Sequence, residues 1–426
     1  MPRISAVDVV DVRFPVTVAE PGGMSCAVYV VLHTDTALSG HGLSFPTRAE
    51  AAACVDAARY IAGLLVGLDV DGLAGSLGHT YRRLVGDNRS GADADVGRYG
   101  ATAVLNAVWD LMARFARKPL WRLLSEMAPT DLVAACDFRD QSGVLAEHDA
   151  VEMLEWLAPT RQERIRHLAR VGYPAYTTAP ARLGLSDNEL RRWCRDAVTD
   201  GWHSIKVEVG RSFDRNKRRL AMARDELGPD GTLLLEANGV WEVPEAIAHL
   251  SELAQFGPLR VERPTRPEDI AGHATIRTAV APVAVTAGEQ CRDALAVKRM
   301  LDAGALDYLQ VDACRSLSVN EIVPVLLIAA RSGVAVSYRG GGAGLCGPVQ
   351  HLAMLDFICI SGSLIGRLIE HVDVSQQHFS NPPIVQPAWY RLPAGPGYGA
   401  RMRTESLVTY RYPDGTYWAG AGSRGR

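Results

Sequence analysis

The sequence predicts an α/β protein built on a closed (β/α) barrel behind an N-terminal α+β segment. Two observations point there. From about residue 173, short apolar runs recur at 175–178, 204–209, 232–237, 259–262, 283–287, 307–311, 334–337 and 357–360, with starts 23 to 29 residues apart. The stretches between them, 243–255 and 294–303 among them, are amphipathic, and no hairpin signal separates the runs. Such units read as parallel strands joined by helical crossovers. Eight near-equal units favour a closed barrel over an open doubly wound sheet, and no GxGxxG follows any run.

Ahead of the barrel, 4–14 alternates apolar and polar residues, 27–33 is a β-branched run, and His41-Gly-Leu-Ser-Phe follows a Gly-containing turn. Together these predict an antiparallel meander. Helical periodicity takes over at 48–65 and returns at 101–115, where Val104, Leu105, Val108, Leu111, Met112 and Phe115 mark one face. The polar stretch 87–95 reads as a loop, and 21–25 and 87–96 are candidate closing loops over a barrel mouth. The organisation is 1–130 α+β, 131–172 a helical connection, 173–375 barrel, and 376–426 a Pro-, Gly- and Tyr-rich segment returning irregularly over the surface, frayed after 420.

Composition narrows the function. Lys plus Arg (45) nearly balance Asp plus Glu (48), for a net charge of −3. That leaves no dominant basic surface for nucleic acid or anionic membrane. No run approaches the ~20 apolar residues of a membrane span. The start, MPRISAVDVVDVRF, lacks the apolar core of a signal peptide, so a cytoplasmic enzyme is the expectation. The eight cysteines are scattered without CxxC spacing and read as free, buried thiols.

In such a barrel the C-terminal strand ends converge on one mouth. They carry Lys206 and Glu208, Glu236 and Asn238, Glu262, Glu289, Asp312 and Arg339. Glu236, Glu262 and Glu289 end three consecutive strands, 26 and 27 residues apart. Three adjacent carboxylates repel one another unless a cation sits between them, and magnesium takes oxygen ligands of this kind. Singly, each would be an ordinary salt-bridged rim residue. His351 reads as a packed helix residue, Trp109 and Trp121 as core and domain-contact aromatics, and the basic cluster 215–219 as a solvated helix face.

With those residues in view, the layout resembles the enolase superfamily, mandelate racemase group, and within it L-fuconate dehydratase. The likeness runs nearly end to end. It includes Val7-Asp-Val-Val-Asp-Val-Arg-Phe-Pro, Ala103-Val-Leu-Asn-Ala-Val-Trp-Asp-Leu, Lys118-Pro-Leu-Trp, Tyr173-Pro-Ala-Tyr-Thr-Thr, Gly288-Glu-Gln-Cys, Leu309-Gln-Val-Asp-Ala-Cys-Arg, Gly344-Leu-Cys, Val349-Gln-His-Leu and Pro396-Gly-Tyr. The resemblance implies a capping domain on a modified (β/α) barrel, a homo-oligomer, and Mg²⁺ held by Glu236, Glu262 and Glu289. The substrate would be a small carboxylate whose enediolate the metal stabilises. Catalytic roles fall to Lys206, Glu208, Asp312 and Arg339, and ligand contacts to Asn238, Thr178, Arg182 and Arg263.

The departures from the family pattern fall on the chemistry. The family's Lys-x-Lys is Lys206-Val-Glu208, the His paired with the strand-six Asp is Arg339, the first metal ligand is Glu236 where Asp is usual, and Glu-Glu-Pro is Glu262-Arg263-Pro264. A guanidinium is no general base near neutral pH. The paired exchange of Lys for Glu and His for Arg predicts an ion pair between Glu208 and Arg339 across the mouth. Three functions follow: altered metal-dependent chemistry on a sugar-acid-like carboxylate, a non-catalytic descendant that binds a ligand or partner, or retained acid-sugar dehydration.

Overall fold

The computed structural model describes residues 1–426 except 17–22, 87–93, 139–144, 179–181, 292, 316, 342–343, 373–374, 387 and 422–426. Of the two segments expected to close over the mouth, 87–93 and 21–22 therefore lie outside the described residues, while 23–25 begin the second strand and 94–96 begin the long helix. The chain starts with an antiparallel meander of Ile4–Val16, Gly23–Thr34 and Ser39–Ser44. The helices Ala51–Gly63 and Ala94–Phe115 pack on it. The third strand lies almost on the long helix: a Cβ at Gly40 would stand 2.3 Å from Ala107 O, and one at Gly42 would stand 2.1 Å from Ala103 O. Only glycine permits that approach.

Helices Pro129–Ala135, Glu147–Leu157 and Arg161–Val171 then lead into the barrel. Its eight parallel strands are Tyr173–Thr178, Ser204–Glu208, Thr232–Glu236, Pro258–Glu262, Ala284–Ala287, Tyr308–Val311, Ala335–Tyr338 and Ile369–His371. The ring closes where the eighth strand pairs with the first, Ile369 opposite Ala175. Seven of the expected strands fall where the apolar runs placed them. The eighth does not. Residues 357–360 belong to a wide helical turn, Asp356–Ser361, that continues the helix Cys346–Leu355. Every residue from Cys346 to Ile360 is buried, so the run shows no polar face to betray its helical period.

Two further expectations are corrected. The cluster 215–219 is solvated only at Lys217 and Arg218: Arg219 is fully buried and Arg215 Nη2 donates to Leu183 O at 2.6 Å. The C-terminal segment is less irregular than expected. Val385–Gln386 and Trp389–Tyr390 form a short ribbon whose second strand pairs antiparallel with the first barrel strand, and the helices Thr404–Tyr410 and Thr416–Ala421 follow. All eight cysteines are free, and seven are buried. Among the described residues no helix is long and apolar enough to cross a membrane.

The N-terminal layer and the barrel are joined by buried polar contacts. Trp109 Nε1 donates to Asn320 Oδ1 at 2.9 Å, linking the long helix to Val319–Arg331. Trp121 Nε1 donates to Pro393 O at 2.8 Å. His351 is packed as expected: it is buried, accepts from Trp121 N at 3.3 Å, and burial pushes its imidazole down to about 3. The C-terminal segment is held by Asp110, which is fully buried. Its carboxylate accepts from Tyr398 N at 2.6 Å, His41 N at 2.9 Å and Arg114 Nε at 2.6 Å. Replacing Asp110 with Ala strands a guanidinium and two buried N–H groups, so a loss of about 3–5 kcal/mol is expected in urea unfolding. A loss under about 1 kcal/mol would mean that the segment is held by its apolar contacts alone.

Candidate functional site

Strand register builds the site. Glu208 pairs in register with Glu236, and Glu236 with Glu262, so three carboxylates stand side by side at the mouth. Like charges directly opposite on neighbouring strands destabilise a sheet. Lys206, one inward position below Glu208, answers that repulsion. Its Nζ lies 2.9 Å from Glu262 Oε2, 3.4 Å from Glu236 Oε2 and 2.9 Å from Glu370 Oε1. Beneath it the barrel is filled by Arg260, which lies over the Tyr308 ring and donates to Ser337 Oγ at 2.7 Å.

Arginines hold the rest of the mouth. Arg263 follows the fourth strand with φ +48°, a left-handed conformation that a long side chain rarely takes. Its Nη2 stands 3.1 Å from Glu236 Oε1 and donates to Asn238 Oδ1 at 2.7 Å, while Nη1 pairs with Glu289. Arg339 pairs with Glu289 at 2.6 Å through Nε and with Asp312 at 3.2 Å through Nη1. The guanidinium contacts to Glu289 are close but off-line for hydrogen bonding, so charge alone holds its two oxygens.

The ion pair expected between Glu208 and Arg339 is not formed. Arg339, after the seventh strand, meets the carboxylates that follow the adjacent sixth strand and the fifth beyond it, while Glu208 belongs to the second. Glu208 instead accepts from Leu183 N at 2.9 Å and from the side-chain amide of Asn238. Thr178 does reach the site and donates to Glu370 Oε1 at 2.7 Å. The side chain of Arg182 lies outside the described residues. Sequence reasoning missed Glu370, which also accepts from Gly340 N at 3.1 Å. It was hidden by the misplaced eighth strand, in a segment, Arg367-Leu-Ile-Glu-His, whose two adjacent apolar residues give neither an alternation nor an apolar run to mark a strand.

Burial and neighbours set the protonation states. Burial pushes Lys206 down, but Glu262, Glu370 and Glu236 outweigh it and hold the ammonium well above its usual range. Burial pushes Glu262 up, and the Glu236 carboxylate adds to this, placing it at about 7. Glu370 goes the other way: burial raises it, but Lys206 and Arg339 overcome that and bring it below the usual carboxylate range. Arg263 and Arg339 are both held more firmly protonated than a free guanidinium, because Glu236 and Glu289 in the first case, and Glu289 and Asp312 in the second, outweigh burial.

The three carboxylates expected to share a metal thus line one mouth, but basic side chains fill the spaces between them. Lys206 lies between Glu236 and Glu262, and Arg263 between Glu236 and Glu289. Among the described residues no three His, Cys, Asp or Glu are grouped so as to hold an ion. Glu262 Oε1 is buried and makes no ion pair, and the Glu262 carboxyl lies within hydrogen-bond reach of the Glu236 carboxyl instead. Magnesium needs near-octahedral oxygens at ~2.0–2.1 Å, and in this arrangement the residues present do not fit it.

This capped barrel with its polar mouth is an architecture shared with known proteins. The family described as "Enolase C-terminal domain-like" matches residues 189–406. Mitochondrial enolase superfamily member 1 of Xenopus laevis is 41% identical over 430 residues, spanning 98% of this chain and 97% of that protein. L-galactonate dehydratase of Hypocrea jecorina is 37% identical over 419 residues, spanning 95% and 92%. The crystal structure of human mitochondrial enolase superfamily member 1 aligns at a TM-score of 0.93 with 40% identity, covering 99% of this chain and 98% of that one. The chain belongs to the enolase superfamily.

The state of Glu262 has a measurable sign. A carboxyl at about 7 when folded and near the ordinary 4.5 when unfolded keeps a proton that the unfolded chain has already lost. Stability from this group is therefore greatest at low pH and falls as pH rises from about 4.5 to about 7. Glu262→Gln removes that dependence. Its melting temperature is expected to gain on the wild type between pH 5 and pH 7 and to hold that gain at pH 8. A difference that stays constant over this range would show that Glu262 is ionised throughout.

Proposed function

We propose that the protein binds a small polyhydroxy carboxylate of the acid-sugar kind at its barrel mouth, without the metal-supported abstraction of the α-proton. The observation that carries this reading is the state of the two strand-end positions where the resemblance places proton-transfer groups. Glu208 is tied to Leu183 N and Asn238, and Arg339 is a doubly paired guanidinium with no lone pair to accept a proton. Lys206, in contact with three carboxylates, stays an ammonium at neutral pH. An α-carbon acid is so weak that losing its proton requires both a base and positive charge on the developing oxyanion. What an incoming carboxylate meets is guanidinium: the side chains of Arg263 and Arg339 are 14% and 16% exposed, against 4% for Lys206. Asn238 and Thr178 stand beside them for hydroxyl groups.

A lyase or isomerase reading of the same mouth has one observation in its favour, the near full-length similarity to L-galactonate dehydratase. In it Lys206 or Glu208 moves the proton. One experiment separates the two. The protein is mixed with L-fuconate, L-galactonate and related acid sugars in D₂O with millimolar Mg²⁺, beside the Hypocrea jecorina enzyme. NMR follows deuterium uptake, and thermal melts follow binding. The expected outcome is a saturable rise in melting temperature, with exchange at least ~10²-fold slower than in the comparison enzyme, the scale of losing one general base. Exchange or dehydration at the comparison rate would establish the catalytic reading instead. No thermal rise with any acid sugar would overturn the ligand class.

A further inference from the structure

The triad Glu236, Glu262 and Glu289 has two gaps, and each is filled by a cation of the chain. Lys206 Nζ takes the first, 3.4 Å from Glu236 and 2.9 Å from Glu262. Arg263 takes the second, with one Nη 3.1 Å from Glu236 and the other on Glu289. The backbone turns back to put it there: φ at Arg263 is +48°, and φ at Asn238, whose side chain accepts from the same guanidinium at 2.7 Å, is +53°. A left-handed arginine persists only where its surroundings over-determine it. Here they do so through two carboxylates and an amide. A guanidinium is a planar fork whose N–H groups diverge, which suits two carboxylates facing each other across a gap. A hard divalent ion needs the same oxygens turned onto one point, and to enter here it must expel a half-buried, already paired cation.

We propose that Arg263 is a built-in cation standing where a divalent ion would otherwise sit, so that the mouth is charged and shaped without metal, and that it anchors the ligand's carboxylate. The second half rests on the acid-sugar reading above; the first half stands without it.

The test uses the full chain, stripped with EDTA and desalted. Mn²⁺ binding is read by electron paramagnetic resonance, and melting temperature is read with Mg²⁺, with Mn²⁺ and with EDTA. The wild type is expected to bind no stoichiometric Mn²⁺ and to shift by less than about 1 °C among these conditions. Arg263→Glu, which removes the cation and adds a carboxylate, is expected to bind Mn²⁺ at least ~10-fold more tightly and to melt higher with metal than with EDTA. Arg263→Lys keeps a charge in the gap and is expected to stay indifferent to metal. A wild type that binds one Mn²⁺ and loses its melting temperature to EDTA overturns the proposal, whether or not the glutamate variant folds.

The ligand arm is read separately. The thermal rise with an acid sugar is expected to survive EDTA in the wild type and to be lost in Arg263→Gln. Survival of that rise in Arg263→Gln removes Arg263 as the anchor. A metal-indifferent wild type that binds no acid sugar leaves the internal cation standing and removes the ligand reading.

Discussion

Electrostatic repulsion among in-register carboxylates is the constraint on which the rest of the barrel mouth depends. Parallel strands ending at the same height bring Glu208, Glu236 and Glu262 abreast, and Glu289, Asp312 and Glu370 complete the ring. Three cations each bridge more than one of these groups: Lys206 touches Glu236, Glu262 and Glu370, Arg263 touches Glu236 and Glu289, and Arg339 touches Glu289 and Asp312. A bridging cation removes repulsion and sets geometry together, because each carboxylate it holds is fixed relative to the next. The surplus of acid over base that remains is met by Glu262, whose carboxyl keeps its proton to about neutral pH. The same interactions hold Lys206, Arg263 and Arg339 firmly protonated.

Much of this was legible in the sequence, for identifiable physical reasons. The meander was readable because a sheet with one solvated face alternates its side chains. Most of the barrel was readable because strand and helix recur in a near-constant rhythm. The polar residues at the mouth were readable because each closes an apolar run, which is where a buried strand ends. The eighth strand failed on both counts. The strand Ile369–His371 is only three residues long, and the apolar run before it belongs to a helix buried on all sides. Glu370 was lost with it.

Pairing at the mouth was less legible than placement. Alternation says that Glu208 and Arg339 both face inward, but it does not say which inward neighbours they meet. Ring order decides that. Arg339 follows the seventh strand and meets groups from the sixth and fifth, whereas Glu208 is drawn to the turn after the first strand and to Asn238 after the third. Arg263 was visible as a break in a Glu-Glu-Pro pattern. Its direction was not, because nothing in the local sequence marks a left-handed arginine as it would a glycine.

The contact between Trp109 and Asn320 has a mechanical side. It joins the longest helix of the N-terminal layer to a helix of the barrel whose residues Val319–Ala329 are all buried. Lifting that layer as a rigid body would break this hydrogen bond and expose both helices together, while pulling the C-terminal segment off the buried Asp110 carboxylate. The N-terminal layer is therefore a fixed roof. Any opening of the mouth that lifted this layer would have to break those buried contacts together.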